Sequence, residues 1–482
     1  MSVQAKQFLR RPTIGIIGGG FTGAALAVHL RQDLRLPPQA RVLIVEPRKD
    51  IGRGLAYDTV DPAHRINVPA DKMTLFPDLA ADFADYTDRV ALHATDRAIL
   101  GKDGLPYPTR STFGDYVVSK VQPLLAGRRL EHWRTRIRSV RKQADGYRLV
   151  GDDGRAESVD LVVIAVSHPA PSVPSNLRAF RDGEKFIADV TTDGALAPIE
   201  KDDRVLIVGN GLTSADVVAS LALRGHRGKI TSISRRGLRS RGHGPAGQES
   251  FGNVLQDPAM TALGLLREVR RSIREAEAQG LTWHSVLDAV RAQGQALWQK
   301  LPLRERIRIV RHLRPFWDVH RFRIAPQVED AVNEAIAQGR LDVLAASVAS
   351  ATKTDTGYQV SLRNRHRRSL QTIDVDSIVV TTGPAHGDVL EGQDFLRALK
   401  TEGILKACPT GLGIACDRQS HAIAANGEAS PDILIAGPLA RGTFGELMGL
   451  PQVTEHAVFV ADRIAQLVAD RVGDFESLSN AS

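Results

Sequence analysis

Cysteine is almost absent from this chain: Cys408 and Cys416 are the only two in 482 residues. Their spacing is not C-x-x-C, which argues against disulfide-exchange chemistry, and two isolated thiols fit a reducing, cytoplasmic compartment. No apolar run reaches bilayer length, so no membrane partner is expected. Arg10 and Arg11 are followed by Pro12 and a short glycine-rich strand, not by the apolar core of a signal peptide. No group of His, Cys and carboxylates has metal-ligand spacing, so no metal is expected, and there is no G-x-S-x-G nucleophile motif. Charge of neither sign dominates: 63 basic residues against 55 acidic leave a net charge of +8. Basic clusters at 134–141, 235–241, 304–314 and 363–368 read either as a nucleic-acid footprint or as a solvated surface with an anionic ligand site. The second reading is favoured, so no nucleic-acid partner is expected. Length and composition are those of a globular chain of two or three domains.

Against these absences stands one pattern present twice. Ile14-Gly15-Ile16-Ile17 runs into Gly18-Gly19-Gly20-Phe21-Thr22-Gly23, and Val205-Leu206-Ile207-Val208 runs into Gly209-Asn210-Gly211-Leu212-Thr213-Ser214. Each reads as a buried strand, a glycine turn and a helix start. Gly18 permits the tight turn, Gly20 lets backbone amides approach a pyrophosphate, and Gly23 lets helix and strand pack closely. The helix N-terminus offers its unpaired N–H groups and positive dipole end to the phosphates. In the second copy Ser214 replaces the third glycine, and a small residue still packs there. The copies differ at the end of the following strand. After 42–45 comes Glu46, an acid suited to a ribose hydroxyl. After 230–233 come Ser234-Arg235-Arg236, where the arginines suit a 2′-phosphate or are surface charges; the strand-end position favours the phosphate. An FAD site and a separate NADPH site on one chain are therefore expected.

The layout extends the repeat. Short strands near 130–140, 147–150 and 156–159, with turns at Asp145-Gly146 and Asp153-Gly154, make a β-meander, closed by a strand at 161–166. The second half has short strands near 341–344, 358–362 and 369–373 and a closing strand at 378–383. Helical periodicity of Leu265, Leu266, Val269 and Ile273, and of Trp283, Val286, Leu287 and Val290, marks an insertion over 256–326, with Pro302 and Pro315 as helix breakers. These stripes read as core. A strand at 433–438 and a long helix at 453–468, entered at Pro451, end the chain. The expected fold class is α/β: two Rossmann-like dinucleotide-binding domains with a helical insertion. The expected division is 1–170 for the first part of the FAD domain, 171–383 for the NAD(P) domain, and 384–482 for the return to the first.

The segments Gly52-Arg53-Gly54-Leu55-Ala56-Tyr57, His64-Arg65-Ile66-Asn67-Val68-Pro69-Ala70, Phe316-Trp317-Asp318-Val319-His320-Arg321 and Gly437-Pro438 with Arg441-Gly442 resemble a bacterial family of FAD/NAD(P)-binding proteins. The chain is also distantly similar to class B flavin-dependent monooxygenases, including those that hydroxylate amine nitrogens. Met73-Thr74-Leu75-Phe76 and Phe83-Ala84-Asp85-Tyr86 are similar in layout to the loop and helix that cover the flavin there. The Phe-x-Gly-x-x-x-His fingerprint of the Baeyer–Villiger enzymes is absent. The resemblance implies that Arg53 and Gly437 belong to the FAD site and that NADPH reduces the flavin. The reduced flavin then meets oxygen, as in a monooxygenase acting on a small substrate, amines included, or passes electrons on, as in a reductase. A non-catalytic flavin scaffold or redox sensor is the remaining alternative. Three polar residues are catalytic candidates: Asn67 as an amide facing the flavin or a turn-stabilising Asn, Arg110 as an anion clamp or a solvated loop arginine, and His320 as a cleft-lining or a structural imidazole. His320, Arg321 and Trp317 place substrate choice in the insertion. Oligomeric state is open.

Overall fold

The computed structural model describes residues 11–383 and 388–480. Arg10 of the arginine pair, and residues 384–387 next to the expected domain boundary, lie outside the described residues. Two parallel-centred sheets organise the chain. The first has six strands in the order His421–Ile423, Ala429–Ile435, Leu161–Ile164, Thr13–Ile17, Arg41–Val45 and Glu131–Trp133, all parallel except the hairpin at its C-terminal edge. The second has seven, in the order Leu370–Val375, Tyr358–Asn364, Leu341–Lys353, Ile230–Ser234, Val205–Val208, Ser377–Val380 and Phe186–Ile187. The central strands are continuous apolar runs because both faces are covered, in the first sheet by the helices Phe21–Gln32 and Gln452–Asn480 on one side and by the strands Gly146–Gly151 and Ala156–Val159 on the other, which is what a parallel sheet requires. The α/β architecture of two dinucleotide-binding units is thus present as expected.

The first sheet is completed from the far end of the chain. Ala429–Ile435 pairs with Leu161–Ile164 in parallel register, and the long helix Gln452–Asn480 lies on the glycine-turn helix Phe21–Gln32. Leu26, Leu30, Ile44, Val163, Leu434, Val460 and Ile464 share one core there, and that core runs on without interruption to Val205, Ile207 and Val217 of the second unit.

Two elements differ from the sequence-based expectation. The segment at 130–140 is not one strand: Glu131–Trp133 extends the parallel sheet, a turn closed by Thr135 N–H to the Trp133 carbonyl intervenes, and Ile137–Gln143 starts a separate three-stranded meander. Conversely, the short strand expected near 341–344 is thirteen residues long, Leu341–Lys353. Its first half pairs parallel with Ile230–Ser234 and its second half antiparallel with Tyr358–Asn364, with an irregularity between Val348 and Ser350. Sequence alternation shows neither, since a strand that changes partners keeps its period of two.

The insertion is helical, as the periodicity implied. Leu265 and Val269 pack on a small core of Val254, Val290 and Leu297 beside Trp317. Pro302 caps the helix Leu303–Arg308. Pro315 does not break a helix: it sits in the first turn of Arg314–Arg321, following a π-turn at Ile309–Leu313. The first turn has no hydrogen-bond requirement that proline's missing N–H would violate.

Candidate functional site: an inter-domain cleft at the first glycine turn

The first turn is built by close approaches that exclude side chains. Gly18 has φ of 105°, and a Cβ there would lie 2.6 Å from the Ala165 carbonyl oxygen. The chain leaves the strand by brushing the closing strand's backbone, which cannot retreat. At Gly23 a Cβ would fall 2.0 Å from the Gly18 oxygen, so helix and turn are in contact. Gly19 donates its N–H to Glu46 Oε2 at 2.9 Å. The buried Glu46 carboxylate also accepts from the N–H and Nη1 of Arg48, both at 3.1 Å. Glu46 is therefore tied to the turn by the protein itself, and Oε2 keeps acceptor capacity on the cleft side.

Gly20 is different. It caps the helix Phe21–Gln32 with no side-chain hydrogen bond, in an extended conformation at φ −68°, and a Cβ there would meet only the Gly54 Cα, at 3.4 Å. Nothing in the fold needs glycine at this point. The free space belongs to a cleft of about 770 Å³, the size of a cofactor site. Gly18, Gly20, Phe21, Thr22, Glu46 and Arg53 line it from the first unit, and Thr213, Asp216 and Val217 from the second. Arg53 is held by Asp115 and, at 3.4 Å, by Asp50. Gly437 (φ 67°) lies against Thr22, and its N–H donates to His456 Nδ1 at 3.1 Å. Uncapped helix amides, a side-chain-free approach at Gly20 and a carboxylate beyond the next strand are the donor and acceptor set that a dinucleotide's pyrophosphate and ribose require. The residues present fit FAD.

The second turn repeats the backbone device. Gly209 has φ of 130°, with the Thr381 carbonyl oxygen 2.3 Å from where its Cβ would be. Gly211 caps the helix Leu212–Leu223 with no side-chain bond and nothing within 4 Å of its Cβ position. Ser214 does more than stay small: its hydroxyl lies 3.0 Å from that of Ser232, which donates to Asn210 Oδ1 at 2.5 Å. The enclosed space between Gly211, Ser214, Arg239 and Glu329 is only about 30 Å³, room for little more than water. Only the turn's open side would leave room for a dinucleotide. Arg235 is exposed at the strand end, whereas the Arg236 guanidinium sits 4.8 Å from the Phe316 ring centroid.

The three catalytic candidates are scattered. Arg110 lines the cleft, but its Nη2 lies 2.9 Å from Asp216 and its Nε donates to the Arg65 carbonyl at 3.0 Å. It is an ion pair joining the two units, with its charge already partnered, not an open anion clamp. Asn67 is not among the cleft-lining residues, and its carbonyl accepts from His243 Nε2 at 2.9 Å. His320 is also away from the cleft: Nδ1 lies 2.7 Å from the Phe316 carbonyl, one helical turn back, and the ring meets Trp283 edge-on at 4.9 Å. Arg321 is buried and paired with Glu446 at 2.6 Å. The loop and helix compared with a flavin cover are likewise not among the cleft-lining residues. Phe83 is fully buried among Phe113 and Tyr116, with ring centroids 4.9 and 5.1 Å away.

Sequence reasoning missed residues that do face the cleft. His64 lies with Nδ1 2.9 Å from Thr59 Oγ1 and Nε2 3.3 Å from Ser220 Oγ, and burial lowers its pKa. His168 also lines the cleft and is pushed down to about 4 by burial, with Arg441 and Arg314 adding to the effect. Both stand in the motif segments quoted for the resemblance or directly after the closing strand, but their partners come from the second unit and from the C-terminal segment. The helix Gln452–Asn480 begins at the cleft, where Met448, Gly449, Leu450 and Val453 form one wall. Among the described residues no group of His, Cys and carboxylates is placed to hold a metal, and no helix is long and apolar enough to cross a membrane.

Residues 15–169 match the model of an FAD-NAD(P)-binding family. No curated protein matches the chain. Among solved structures, the chain is similar to the reduced ornithine hydroxylase of Pseudomonas aeruginosa, with 15% identity and TM-score 0.65 over 95% of this chain and 100% of that one. It is similar to the ornithine N-hydroxylase of Kutzneria sp. 744, a structure containing reduced FAD, NADP+ and L-ornithine, with 16% identity and TM-score 0.62 over 96% of this chain and 100% of that one. It is also similar to Lactococcus lactis thioredoxin reductase, with 11% identity and TM-score 0.53 over 96% and 100% of the two chains. At these identities the likeness concerns the fold.

Proposed function

Starting from an FAD/NAD(P)-binding domain matched over residues 15–169, in a chain with the fold of flavin-dependent monooxygenases and reductases, we propose that the protein is an FAD-dependent oxidoreductase driven by NADPH, and that it is a monooxygenase acting on a small molecule, with amines among the candidate substrates. The observation that carries this reading is the cleft itself. It runs from the first glycine turn to the face of the second unit at Thr213, Asp216 and Val217, so a flavin held by one unit is presented to a nicotinamide held by the other. Bound FAD would supply the redox chemistry. The chain's own residues bind and orient. Gly20 and the first-turn amides of Phe21–Gln32 receive the pyrophosphate, and Glu46 the adenine-side ribose. The N-terminus of Gln452–Asn480 turns a positive dipole end towards the cleft wall. The Arg110–Asp216 pair and the His64–Ser220 contact hold the two units in register.

A reductase that passes electrons on is the second reading, supported by the thioredoxin reductase likeness. A dithiol relay does not suit this chain: Cys408 and Cys416 are both buried, neither lines the cleft, and burial raises the Cys416 thiol to about 12. A reductase built this way would need a quinone or a partner protein. The test is the ratio of peroxide released to NADPH consumed, with and without a panel of small amines and amino acids. Monooxygenation requires that a substrate pull the ratio well below one while a hydroxylated product accumulates. A ratio that stays at one with every compound, together with rapid reduction of a quinone, selects the reductase.

A further inference from the structure

Behind the wall formed by Met448, Gly449 and Leu450 lies a set of buried charges that the cofactor sites do not use. Arg321 and Arg441 are 8% and 4% exposed. Arg321 Nε donates to Glu446 at 2.6 Å, and its Nη2 has no hydrogen-bond partner among the described residues. Arg441 reaches Asp318 only at 3.9 Å, and its Nε and Nη1 have none. Arg314 takes the other Asp318 oxygen at 3.1 Å, and Arg291 donates to the Leu450 carbonyl at 2.8 Å. Four guanidiniums, of Arg291, Arg314, Arg321 and Arg441, thus face two carboxylates, of Asp318 and Glu446. The nearby Arg323 is matched by Asp288 at 2.8 Å. Arg291 Nε is unbonded as well, and an excess of two positive charges with four buried, unbonded guanidinium nitrogens is costly unless an anion answers it.

The cluster touches the cleft at two points. Gly449 lines the cleft, and the nearest atom to a Cβ built on it is Arg321 Nη2, at 3.3 Å. His168 lines it too, close enough to Arg441 and Arg314 for both charges to lower its pKa. We propose that Arg321 and Arg441 form a seat for an anionic oxygen group, a carboxylate or a phosphate, on a small molecule that enters from the inter-domain cleft past Gly449. The planar forks of the two guanidiniums suit such a group. Glu446 takes Arg321 Nε through Oε1 and Trp317 Nε1 through Oε2 at 3.3 Å, which leaves Arg321 Nη2 unbonded. This inference deepens the reading of the cleft as a substrate site and rests on it. It predicts that substrates of the enzyme carry an acidic group.

The experiment is isothermal titration of the flavin-loaded protein with succinate and, separately, with inorganic phosphate, at fixed ionic strength and pH 7. One-site binding of either probe is expected; succinate alone assigns a carboxylate, phosphate alone a phosphate, and both assign the shared chemistry. Arg441→Gln should weaken that binding by about 10- to 100-fold, the loss of a charged hydrogen bond. Gly449→Val removes no charge and should weaken it by at least a similar factor by filling the passage beside Arg321 Nη2, which covers the case in which the arginine variant folds poorly. Binding of neither probe to the parent overturns the proposal, as does binding that both variants leave unchanged. Because the readout is binding, its failure is distinct from failure of the monooxygenase reading, which the peroxide ratio tests.

Discussion

Gly18 and Gly20 stand two residues apart in one turn, and the structure assigns them opposite sensitivities. At Gly18 the backbone has φ of 105°, and an added Cβ would sit 2.6 Å from the Ala165 oxygen, 2.7 Å from its carbonyl carbon and 2.8 Å from Val166 N. Gly18→Ala therefore combines a left-handed backbone penalty of about 1–3 kcal/mol with an overpacking cost of roughly the same size against backbone that cannot rotate away. The sum, about 2–6 kcal/mol, corresponds to a fall in Tm of roughly 5–20 °C for units of this size. Gly20→Val places its Cβ where the only neighbour is Gly54 Cα, at 3.4 Å, on a backbone already in the extended region. The apoprotein should unfold within a few degrees of the parent. Flavin binding should collapse, because a side chain at the closest approach removes amide–phosphate hydrogen bonds of about 1.5–3 kcal/mol each, or roughly 10- to 100-fold in Kd per bond. The assay is the ratio of flavin to protein absorbance after gel filtration, beside the thermal unfolding of the flavin-stripped proteins. Full flavin occupancy in Gly20→Val would refute the assignment of this turn, and an unshifted Tm in Gly18→Ala would refute the packing argument.

Removing one side of the Arg110–Asp216 pair, as in Arg110→Met, leaves the other nearly buried charge alone. It should cost about 3–5 kcal/mol and split thermal unfolding into two transitions by scanning calorimetry; a single unshifted transition would mean that the pair does not join the units. Acid should destabilise the protein in a histidine-dependent way. His456 accepts the Gly437 N–H at Nδ1, and burial pushes its pKa from 6.5 down to about 3. Its contribution is full above pH 6.5 and is lost as pH falls towards 3, on the order of 2 kcal/mol by pH 5. Urea melts of His456→Gln at pH 7 and pH 5 should show that much less pH dependence than the parent. At the second turn, exposed Arg235 is free to take a 2′-phosphate while Arg236 is stacked on Phe316. Arg235→Ala should lower the NADPH-over-NADH preference in kcat/KM about tenfold or more and Arg236→Ala less; equal and negligible effects would place the phosphate elsewhere.

The two glycine turns, Glu46 and the arginine-ended second strand were legible in the amino-acid order because their chemistry is local. A strand, a turn that forbids side chains and a helix start occupy ten consecutive residues, and the next strand end follows at a set distance. The helical stripes of the insertion were legible for the same reason. What the order of residues could not show was which distant segments meet. Arg110 looks like an anion clamp until Asp216 is folded against it, and His320 looks like a cleft residue until its helix turns it onto Trp283. Leu341–Lys353 looks like a short strand until its two halves take different partners. His64, His168 and the buried pair Arg321 and Arg441 acquire their meaning only from tertiary neighbours. Local backbone geometry is encoded within a few residues, whereas burial, ion pairing and access to a cleft are properties of surfaces that segments far apart in the chain build together.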